Sequence, residues 1–267
     1  MRKICIINQK GGVGKTTTTA NIAHGLADMG KRVLAIDLDP QGNLSKFFNI
    51  TQERKDIYSI LIENADVQEC IHEITPQLHF ISSRETLTKA ELIMSGEPGR
   101  EGIMARRLAG LTQYDYILID CAPSLGLLNQ NGMLFASEAF IPVSTDYLGM
   151  EALQKILSAI HTINDVFGHS LRITKVIPTM YDARLKHCRE SLAHIQNEFY
   201  EASTDPIRVN SKLKELPKHQ ASIFTFDKRS NGAQDYKKLI NHIVQQEDEF
   251  EQADVDIPQG GMVVTMF

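Results

Sequence analysis

Short apolar runs alternate along the chain with longer stretches in which apolar residues recur at helical spacing. The apolar runs cover residues 4–8, 33–37, 78–82, 116–120, 139–143 and 173–179. Such nearly continuous runs are typical of strands buried on both faces of a parallel sheet. Helical spacing is found over residues 16–29, 84–95, 100–111, 149–167, 184–198 and 231–246. The alternation predicts an α/β fold with a doubly wound, mostly parallel sheet flanked by helices.

The domain organisation follows from what interrupts this pattern. No internal repeat and no linker rich in Gly, Ser or Pro occurs before residue 247, so we expect one domain over residues 1–246. After that point EDEFEQADVD is acidic, and IPQGGMVVTMF contains Pro, two Gly residues and an apolar end. Since neither piece has the periodicity of a core element, we expect residues 247–267 to form a tail, with 262–267 as a candidate docking segment.

Composition and charge narrow the class of protein. The 267 residues are 42% hydrophobic and 23% charged, which is typical of a soluble globular protein and excludes a fibrous or wholly disordered chain. The net charge of −5 means that binding to nucleic acid would need a local basic surface. The four cysteines lie far apart without a C-x-x-C pair, and no apolar run approaches the roughly 18 residues of a membrane span. We therefore expect a cytoplasmic protein with reduced thiols.

A glycine-rich loop directly after the first predicted strand carries the strongest chemical signal. Its residues are Lys10, Gly11, Gly12, Val13, Gly14, Lys15, Thr16 and Thr17. In this position glycines let backbone N–H groups turn towards a phosphate, and the start of the following helix adds its dipole. Lys15 is placed to reach the β and γ phosphates of a nucleotide, and the Thr16 hydroxyl to bind Mg²⁺. The alternative is a glycine-rich turn that only packs the helix against the strand.

Aspartates stand at the ends of two other predicted strands. Asp37 and Asp39 follow the second apolar run in DLDPQGN, and Asp120 follows the fourth in DCAPSLG. A carboxylate at the carboxyl end of a parallel strand points into the crevice where such sheets bind ligands. There it can hold water on a Mg²⁺ ion, although a single aspartate at a strand end is also a common helix cap. We expect the aspartates and the glycine-rich loop to converge at one edge of the sheet.

Seven segments occur in one order over residues 2 to about 246. They are KGGVGKTT, DLDPQGN, DCAPSLGLL, IPVSTDYLGMEAL, PTMYDAR, IRVNSKLKELP and DKRSNGAQDY. In these segments the chain resembles the ParA family of DNA-partitioning ATPases. The general phosphate-binding motif has glycine where this chain has Gln9, whereas the second lysine, Lys10, is that of the deviant Walker A loop of the ParA/MinD superfamily. The resemblance implies a P-loop NTPase fold with ATP and Mg²⁺ as cofactors.

The resemblance also implies roles for individual residues. Lys10 reaches across a dimer that sandwiches ATP and contacts the partner's phosphates, so hydrolysis requires a homodimer that forms on ATP binding. Asp39 lies in the first switch and is needed for hydrolysis because it places the attacking water, while Asp37 and Asp120 support Mg²⁺ through water. Asn210 matches the adenine-contacting position of the family's I-P-R-N-type stretch, in which two of the four residues are replaced here.

Basic residues are frequent in the last third of the chain. The candidate DNA-binding residues are Arg184, Lys186, Arg189, Lys212, Lys214, Lys218 and Arg229. If separate elements bring them onto one face, a dimer would double that face and its phosphate contacts. Charge alone fits equally with ordinary solvated helix faces. The resemblance favours DNA binding without sequence preference, with Lys212 in the family's basic position, and association with the nucleoid.

The resemblance implies protein partners as well. A ParB-like centromere-binding protein, or another cargo adaptor, would stimulate hydrolysis while plasmid or chromosome DNA is segregated. The glycine-rich loop begins at residue 10, which leaves no room for an N-terminal helix-turn-helix domain, so we expect the short form of the family. A related alternative is an ATPase that positions a protein cargo over the nucleoid.

Two other classes of relative fit the sequence less well. A MinD-like membrane-associated ATPase should end in a basic amphipathic helix, whereas this chain ends in an acidic stretch followed by two glycines, so we expect no membrane binding. An electron-transfer protein like the nitrogenase iron protein needs two cysteines per subunit to hold a cluster. Cys121 directly follows Asp120 and no cysteine falls between residues 71 and 120, so that ligand pattern is absent.

Overall fold

The computed structural model describes residues 1–50 and 54–246, which form a seven-stranded sheet with helices on both faces. The strands are β1 (Arg2–Ile6), β2 (Val33–Leu38), β3 (Ile71–Thr75), β4 (Leu78–Ile81), β5 (Tyr116–Cys121), β6 (Glu138–Ser144) and β7 (Arg172–Thr179). Their order across the sheet is β3-β4-β2-β5-β1-β6-β7, and every neighbouring pair is parallel except β3 and β4. The predicted doubly wound α/β fold is confirmed. The predicted tail, residues 247–267, lies outside the described residues.

All six predicted strands are present, with bounds that differ by at most two residues. The sequence pattern missed β3, an edge strand joined to its antiparallel partner β4 by a two-residue turn at Pro76 and Gln77. Only His72 of its five residues is buried. Because its other four residues are partly or fully exposed, β3 has no continuous apolar run, which is the pattern that predicted the other strands.

The helices cover the two faces of the sheet. One face carries α3 (Ile57–Leu61), α4 (Val67–Cys70), α5 (Thr88–Met94), α6 (Ile103–Arg107), α7 (Leu127–Phe135), α8 (Tyr147–Phe167) and α9 (Lys186–Glu198). The other carries α1 (Lys15–Asp28), α2 (Asn43–Phe47), α10 (Ser211–His219), α11 (Ile223–Phe226) and α12 (Asn231–Gln245). None of the helices in the described part of the chain combines the length and apolarity needed to cross a bilayer.

Each predicted helix is present, but two are shorter than the pattern indicated. The one predicted over 84–95 begins with a 3₁₀ turn at Glu85–Leu87 before α5. The one predicted over 100–111 begins with a 3₁₀ turn at Arg100–Gly102, and α6 ends at Arg107. Gly102 and Gly110 flank α6, and glycine is costly inside a helix, so the apolar spacing extends beyond the helix that forms.

Alternate residues of the central strands pack against opposite faces. In β1, Cys5 lies in the core under α7 and α8, while Ile4 and Ile6 lie in the core under α1 and α12. All of these side chains are fully buried. This two-sided burial explains why the strands are almost continuously apolar in sequence.

The strand order brings three strand ends together at the carboxyl edge of the sheet. β5 lies between β1 and β2, and the parallel register pairs Asp37 of β2 with Asp120 of β5. The glycine-rich loop leaves β1 at the same edge and enters α1. The loop and the strand-end aspartates therefore lie next to one another, at the place where open α/β sheets bind their ligands.

Candidate nucleotide site

The glycine-rich loop has a backbone that requires glycine at two positions. Gly12 and Gly14 have φ angles of 75° and 96°, in the left-handed region that residues with a side chain seldom adopt. A Cβ atom built on Gly11 or Gly12 would meet no described atom within 4 Å, so the loop faces open space. The first N–H groups of α1 have no intrahelical partners and point into this region, which makes it suitable for an anion.

The loop forms one wall of a cavity of about 620 Å³. Residues 11–17 line it together with Asp39 and Asn210, which the sequence analysis had placed in the same site. Apolar side chains also line the cavity: Phe47, Pro123, Met180, Ile207, Val209, Leu213, Pro217 and Tyr236. A cavity that combines hydrogen-bond donors with apolar side chains suits the phosphates and the base of a nucleotide. These apolar residues were not predicted from the sequence, because they come from distant elements and share only their position in the fold.

Lys15 is the buried cation of the cavity. It is 8% exposed, and within the described part of the chain its Nζ makes one hydrogen bond, to the backbone carbonyl of Lys10 at 3.3 Å. Burial lowers the pKa of Lys15, and the neighbouring carboxylates of Asp120 and Asp39 oppose that shift. Because an ammonium group has three donors, Lys15 retains capacity to bind an anionic ligand.

Asp37 is fully buried and its carboxylate is already well hydrogen-bonded. Oδ1 accepts the N–H of Asp39 at 3.1 Å, and Oδ2 accepts both the N–H and the hydroxyl of Ser45 at 2.9 Å. Burial nevertheless raises the pKa of Asp37 to about 7. The donors belong to the loop after β2 and to the first turn of α2, so Asp37 holds this segment in place.

Asp120 is fully buried and has an oxygen without a partner. Oδ1 accepts the Thr19 hydroxyl at 3.3 Å, whereas the buried Oδ2 has no hydrogen bond to any described residue. Burial and the nearby charge of Asp37 raise the pKa of Asp120 to about 8, and the Thr16 side chain opposes this shift. A buried carboxylate oxygen is costly to leave unsatisfied unless a cation or water occupies the space beside it.

The donor set fits a magnesium ion that arrives with a nucleotide. Mg²⁺ prefers oxygen ligands, keeps several waters and commonly takes one or two carboxylates together with phosphate oxygens. The Thr16 hydroxyl and the open oxygen of Asp120 supply such groups beside the glycine-rich loop. No group of three or more His, Cys, Asp or Glu side chains in residues 1–50 and 54–246 is arranged to hold a metal ion by itself.

Asp39 lies on the cavity wall with a constrained backbone. Its carbonyl accepts the N–H of Gly42 at 2.9 Å and the hydroxyl of Ser83 at 2.5 Å. Its Oδ1 accepts the N–H of Gln41 at 2.9 Å. Asp39 is 6% exposed and lines the same cavity as Lys15.

Lys10 is paired outside the cavity. Its Nζ donates to both carboxylate oxygens of Asp146, at 2.6 and 2.8 Å, and to the Ser144 hydroxyl at 2.9 Å. Asp146 also caps α8 by accepting the N–H of Gly149 at 2.7 Å. Although burial acts in the opposite direction, the hydrogen bonds from Lys10 and Gly149 lower the pKa of Asp146. Within one chain, the second lysine therefore lies against the start of α8.

Asn210 is the residue before α10 and caps that helix. Its Oδ1 accepts the N–H of Lys212 at 2.8 Å. Asn210 lines the cavity together with Met180 and Val209. The site expected to contact adenine is therefore part of the cavity, beside apolar side chains that suit a planar base.

Several candidate DNA-binding residues are exposed but already paired with acidic side chains. Arg184 pairs with Asp182, Lys186 with Glu190 and Lys212 with Glu215, at 2.6, 3.4 and 3.6 Å. The Arg189 guanidinium donates to the Ala183 carbonyl at 2.7 Å, and both Lys218 and Arg229 are exposed. Exposed pairs of this kind are weak and can exchange an acidic partner for a phosphate.

Two of the basic segments lie side by side. The N–H of Val209, just before α10, donates to the carbonyl of Tyr181, just after β7, at 3.0 Å. This contact places the beginnings of α9 and α10 at the carboxyl edge of the sheet. Lys214, assigned to the DNA-binding surface in the sequence analysis, also lines the nucleotide cavity. One candidate DNA-binding residue therefore also lies on the wall of the candidate site.

Comparison with known proteins agrees with the fold. A family model described as an AAA domain matches residues 1–173. The chain is 37% identical to the sporulation initiation inhibitor protein Soj of Bacillus subtilis, over 90% of this chain and 97% of that protein. It is 33% identical to the chromosome partitioning protein ParA of Myxococcus xanthus, over 92% of this chain and 89% of that protein. The chain belongs to the ParA family of ATPases.

A solved structure extends the likeness to three dimensions. Cobyrinic acid a,c-diamide synthase from Mycobacterium smegmatis, crystallised with a bound ATP analogue and magnesium, has a TM-score of 0.79 and 27% sequence identity to this chain. The superposition covers 94% of this chain and 97% of that enzyme. The fold of this chain therefore also occurs in an enzyme that is named for a synthase reaction. The fold alone does not show what this chain acts on.

Proposed function

We propose that this ParA-family chain is a Mg²⁺-dependent ATPase that forms a homodimer on binding ATP and binds DNA without sequence preference in that state. It positions or segregates plasmid or chromosome DNA on the nucleoid, in the cytoplasm, with a ParB-like partner. The observation that carries the proposal is the cavity in which residues 11–17, Asp39 and Asn210 meet, beside a second lysine that lies outside it.

The glycine-rich loop and its following helix bind the phosphates of ATP. Backbone N–H groups of residues 11–17 and the Nζ of Lys15 supply the donors. Thr16 and, through water, Asp120 hold the Mg²⁺ ion, which neutralises charge on the transferred phosphoryl group. Asp37, whose oxygens already accept three hydrogen bonds, supports the ion through water and holds the loop that carries Asp39.

Hydrolysis needs a positioned water and a second positive charge. Asp39, on the cavity wall, orients the attacking water. Phosphoryl transfer is catalysed mainly by positioning and by neutralising charge, so a lysine supplied by another subunit acts as an arginine finger does elsewhere. Lys10 is that lysine. Because each Lys10 contacts the partner's nucleotide, ATP stabilises the dimer, and association becomes the switch.

The DNA-binding surface comes from the basic residues of α9, α10 and the segment before α12. The residues that supply the positive charge are Arg184, Lys186, Arg189, Lys212, Lys214, Lys218 and Arg229, of which Lys214 also lines the nucleotide cavity. Since a dimer doubles the number of phosphate contacts, DNA affinity depends on the nucleotide state and on salt.

The test measures three properties of the purified chain. ATP with Mg²⁺ should convert a monomer into a dimer in size-exclusion chromatography with light scattering, and ADP should not. DNA of unrelated sequences should bind with similar affinity only in the ATP state, with a steep loss of affinity as salt increases. If a neighbouring gene encodes a ParB-like protein, that protein is the partner to add, and it should increase hydrolysis. A chain that stays monomeric with ATP, or that binds DNA equally in every nucleotide state, contradicts the proposal.

A further inference from the structure

The segment between β4 and α5 contacts both loops that carry the site aspartates. We call residues 83–91 the bridge segment. It begins with Ser83, directly after the Leu78–Ile81 strand and Ser82, and it ends with Glu91 on α5. Leu87 and Ala90, between these ends, are fully buried in the core. The bridge segment is therefore a short element anchored to the body of the protein.

Ser83 holds the loop that follows β2. Its hydroxyl donates to the Asp39 carbonyl at 2.5 Å, and its N–H donates to the Ser45 hydroxyl oxygen at 3.0 Å. The Ser45 hydroxyl also lies 3.2 Å from the Ser83 carbonyl and 2.9 Å from Oδ2 of Asp37. A Cβ atom at Gly42, whose φ is +60°, would come within 3.0 Å of the Ser83 carbonyl. Ser83 thus contacts the segment that follows β2 at three positions, Asp39, Gly42 and Ser45.

Glu91 holds the start of the helix that follows the Asp120 loop. Its Oε1 accepts the N–H of Leu128, in the first turn of α7, at 3.0 Å. A Cβ atom at Gly126, the residue before α7, would lie 2.2 Å from the same oxygen, so the carboxylate packs directly on the Gly126 backbone. A carboxylate at a helix N-terminus satisfies an N–H group that has no intrahelical partner and interacts favourably with the helix dipole.

The start of α7 in turn determines the position of the Asp120 loop. Asn129 of α7 donates from Nδ2 to the carbonyls of Ala122 and Ser124, at 2.8 and 2.5 Å. Its Oδ1 accepts the N–H of Ala122 at 3.2 Å. Asn129 is fully buried, and these three hydrogen bonds tie the loop after Asp120 to the helix that Glu91 caps. A displacement of α7 at Glu91 is therefore transmitted to this loop.

We propose that the bridge segment holds the Asp39 loop and the Asp120 loop in the fixed relation that ATP hydrolysis requires, and that Ser83 and Glu91 are its positioning residues. This inference rests on the proposed function, since it assigns Asp39 to the hydrolytic step. Neither Ser83 nor Glu91 lines the described nucleotide cavity, so both act through the loops. Ser83 holds one end of the bridge segment and Glu91 the other. Loss of either side chain therefore breaks the same connection between the Asp39 loop and the Asp120 loop.

The experiment compares Ser83→Ala, Glu91→Ala and the double variant by their kcat for stimulated ATP hydrolysis, their affinity for a fluorescent ATP analogue and their Tm. Since small errors in position cost large factors in rate, we expect each single variant to lower kcat by about tenfold and to change nucleotide affinity by less than about twofold. The double variant should be no slower than the slower single variant. Two independent local defects at separate sites would instead multiply their effects.

Matched variants separate positioning from general destabilisation. Ser82→Ala removes a neighbouring buried hydroxyl whose one hydrogen-bond partner among the described residues is His72 at 3.5 Å, and it should leave kcat unchanged. Glu91→Gln keeps an acceptor for the Leu128 N–H and should recover most of the rate lost in Glu91→Ala. If Ser83→Ala does not fold, the comparison of kcat between Glu91→Ala and Glu91→Gln still tests the proposal. Ser83→Ala should add no further loss to Asp39→Ala, because it acts through Asp39.

The possible failures are distinguishable. If Asp39→Ala abolishes hydrolysis while Ser83→Ala and Glu91→Ala leave kcat unchanged, the inference about the bridge segment is wrong and the proposed function stands. Multiplied losses in the double variant also overturn it. If Asp39→Ala hydrolyses ATP as fast as the unmodified chain, the hydrolytic role of Asp39 is wrong, and the inference is wrong with it.

Discussion

The amino group of Lys10 lies 2.6 Å from one carboxylate oxygen of Asp146 and 2.8 Å from the other. The Ser144 hydroxyl, at 2.9 Å, is its third acceptor. An ammonium group has three donors, so the charge of Lys10 is satisfied within its own chain. If Lys10 serves the partner's nucleotide in the dimer, it must first leave Asp146. The pair then opposes dimerisation, and ATP binding has to outweigh it.

Weakening this pair should make the dimer easier to form. Asp146→Asn keeps an oxygen that caps α8 at Gly149 but removes the negative charge that holds Lys10. A partly exposed ion pair contributes about 0.2–1 kcal/mol, so we expect the ATP concentration for half-maximal dimerisation to fall by roughly 1.4- to fivefold. Asp115→Asn, which breaks the Arg32–Asp115 pair away from the site, is the control and should not change it. Weaker dimerisation in Asp146→Asn would contradict this view of the pair.

Removing the lysine itself should have the opposite effect. Lys10→Ala leaves Lys15 and the glycine-rich loop intact, so we expect ATP to bind normally. Dimerisation should weaken, and stimulated hydrolysis should fall by about 10³-fold or more, the range typical of an arginine finger. Lys155→Ala, an exposed lysine on α8, serves as the control. Full turnover by Lys10→Ala would show that this side chain does not act on a partner's phosphates.

Asp39→Ala should separate dimer formation from hydrolysis. Its carboxylate lies on the cavity wall, whereas the contacts that hold its loop come mainly from its backbone and from Ser83. We therefore expect the ATP-bound dimer to form and persist on DNA while hydrolysis falls by about 10²-fold or more. Light scattering and phosphate release measured on the same sample check both properties. A variant that stays monomeric with ATP would show that Asp39 serves assembly rather than catalysis.

The sequence predicted most of the fold because the buried strands have an unusual pattern. A parallel sheet covered on both faces leaves almost no polar position in its strands, as in β2 and β5, where every residue is buried. The pattern of continuous apolar residues missed β3, in which only one of five residues is buried. Helical spacing missed short helices such as α2 and α11, which have five and four residues. Elements of that length contain too few turns to show a helical period.

The phosphate end of the site was predictable for a related reason. Its residues are contiguous in sequence and their spacing follows from the strand–loop–helix geometry that binds phosphate. The apolar lining comes from α2, α10, α12 and the segment after β7, so only the folded chain shows that Phe47, Pro217 and Tyr236 line one cavity. The pairing of Lys10 with Asp146 was equally hidden, because it joins residues separated by 136 positions.

Neutralising exposed basic residues should weaken DNA binding without affecting ATP binding. Lys218 and Arg229 are exposed and do not line the described nucleotide cavity. We expect Lys218→Ala and Arg229→Ala to lower affinity for all DNA sequences alike and to reduce the slope of log K against log salt by roughly one for each phosphate contact removed. Lys89→Ala on α5 is the control, since Lys89 is exposed and is not among the candidate DNA-binding residues. An unchanged salt slope in both variants would exclude them from the DNA-binding surface.

The stability of the fold should depend on pH through His24 of α1. Its ring packs against Phe48 of the segment after α2, with ring centroids 5.5 Å apart, and burial lowers the pKa of His24 while Asp28 opposes the shift. The folded state therefore favours the neutral ring. Above a pH of about 6.5 the His24 ring is neutral in both the folded and the unfolded state, so it does not lower the free energy of unfolding. Below that pH the unfolded chain gains a proton first, and the free energy of unfolding decreases.

A comparison of Tm against pH isolates this contribution. At pH 7.5, His24→Gln should have a lower Tm than the unmodified chain because it loses packing against the aromatic rings. Between about pH 6.5 and 5 that difference should shrink, since the variant has no ring to protonate, while the other titrating groups affect both proteins alike. His161→Gln is the matched control, because His161 is exposed and pairs with Asp165 at 3.1 Å. A difference in Tm that stays constant across this range would show that His24 accepts a proton as readily in the folded chain as in the unfolded one.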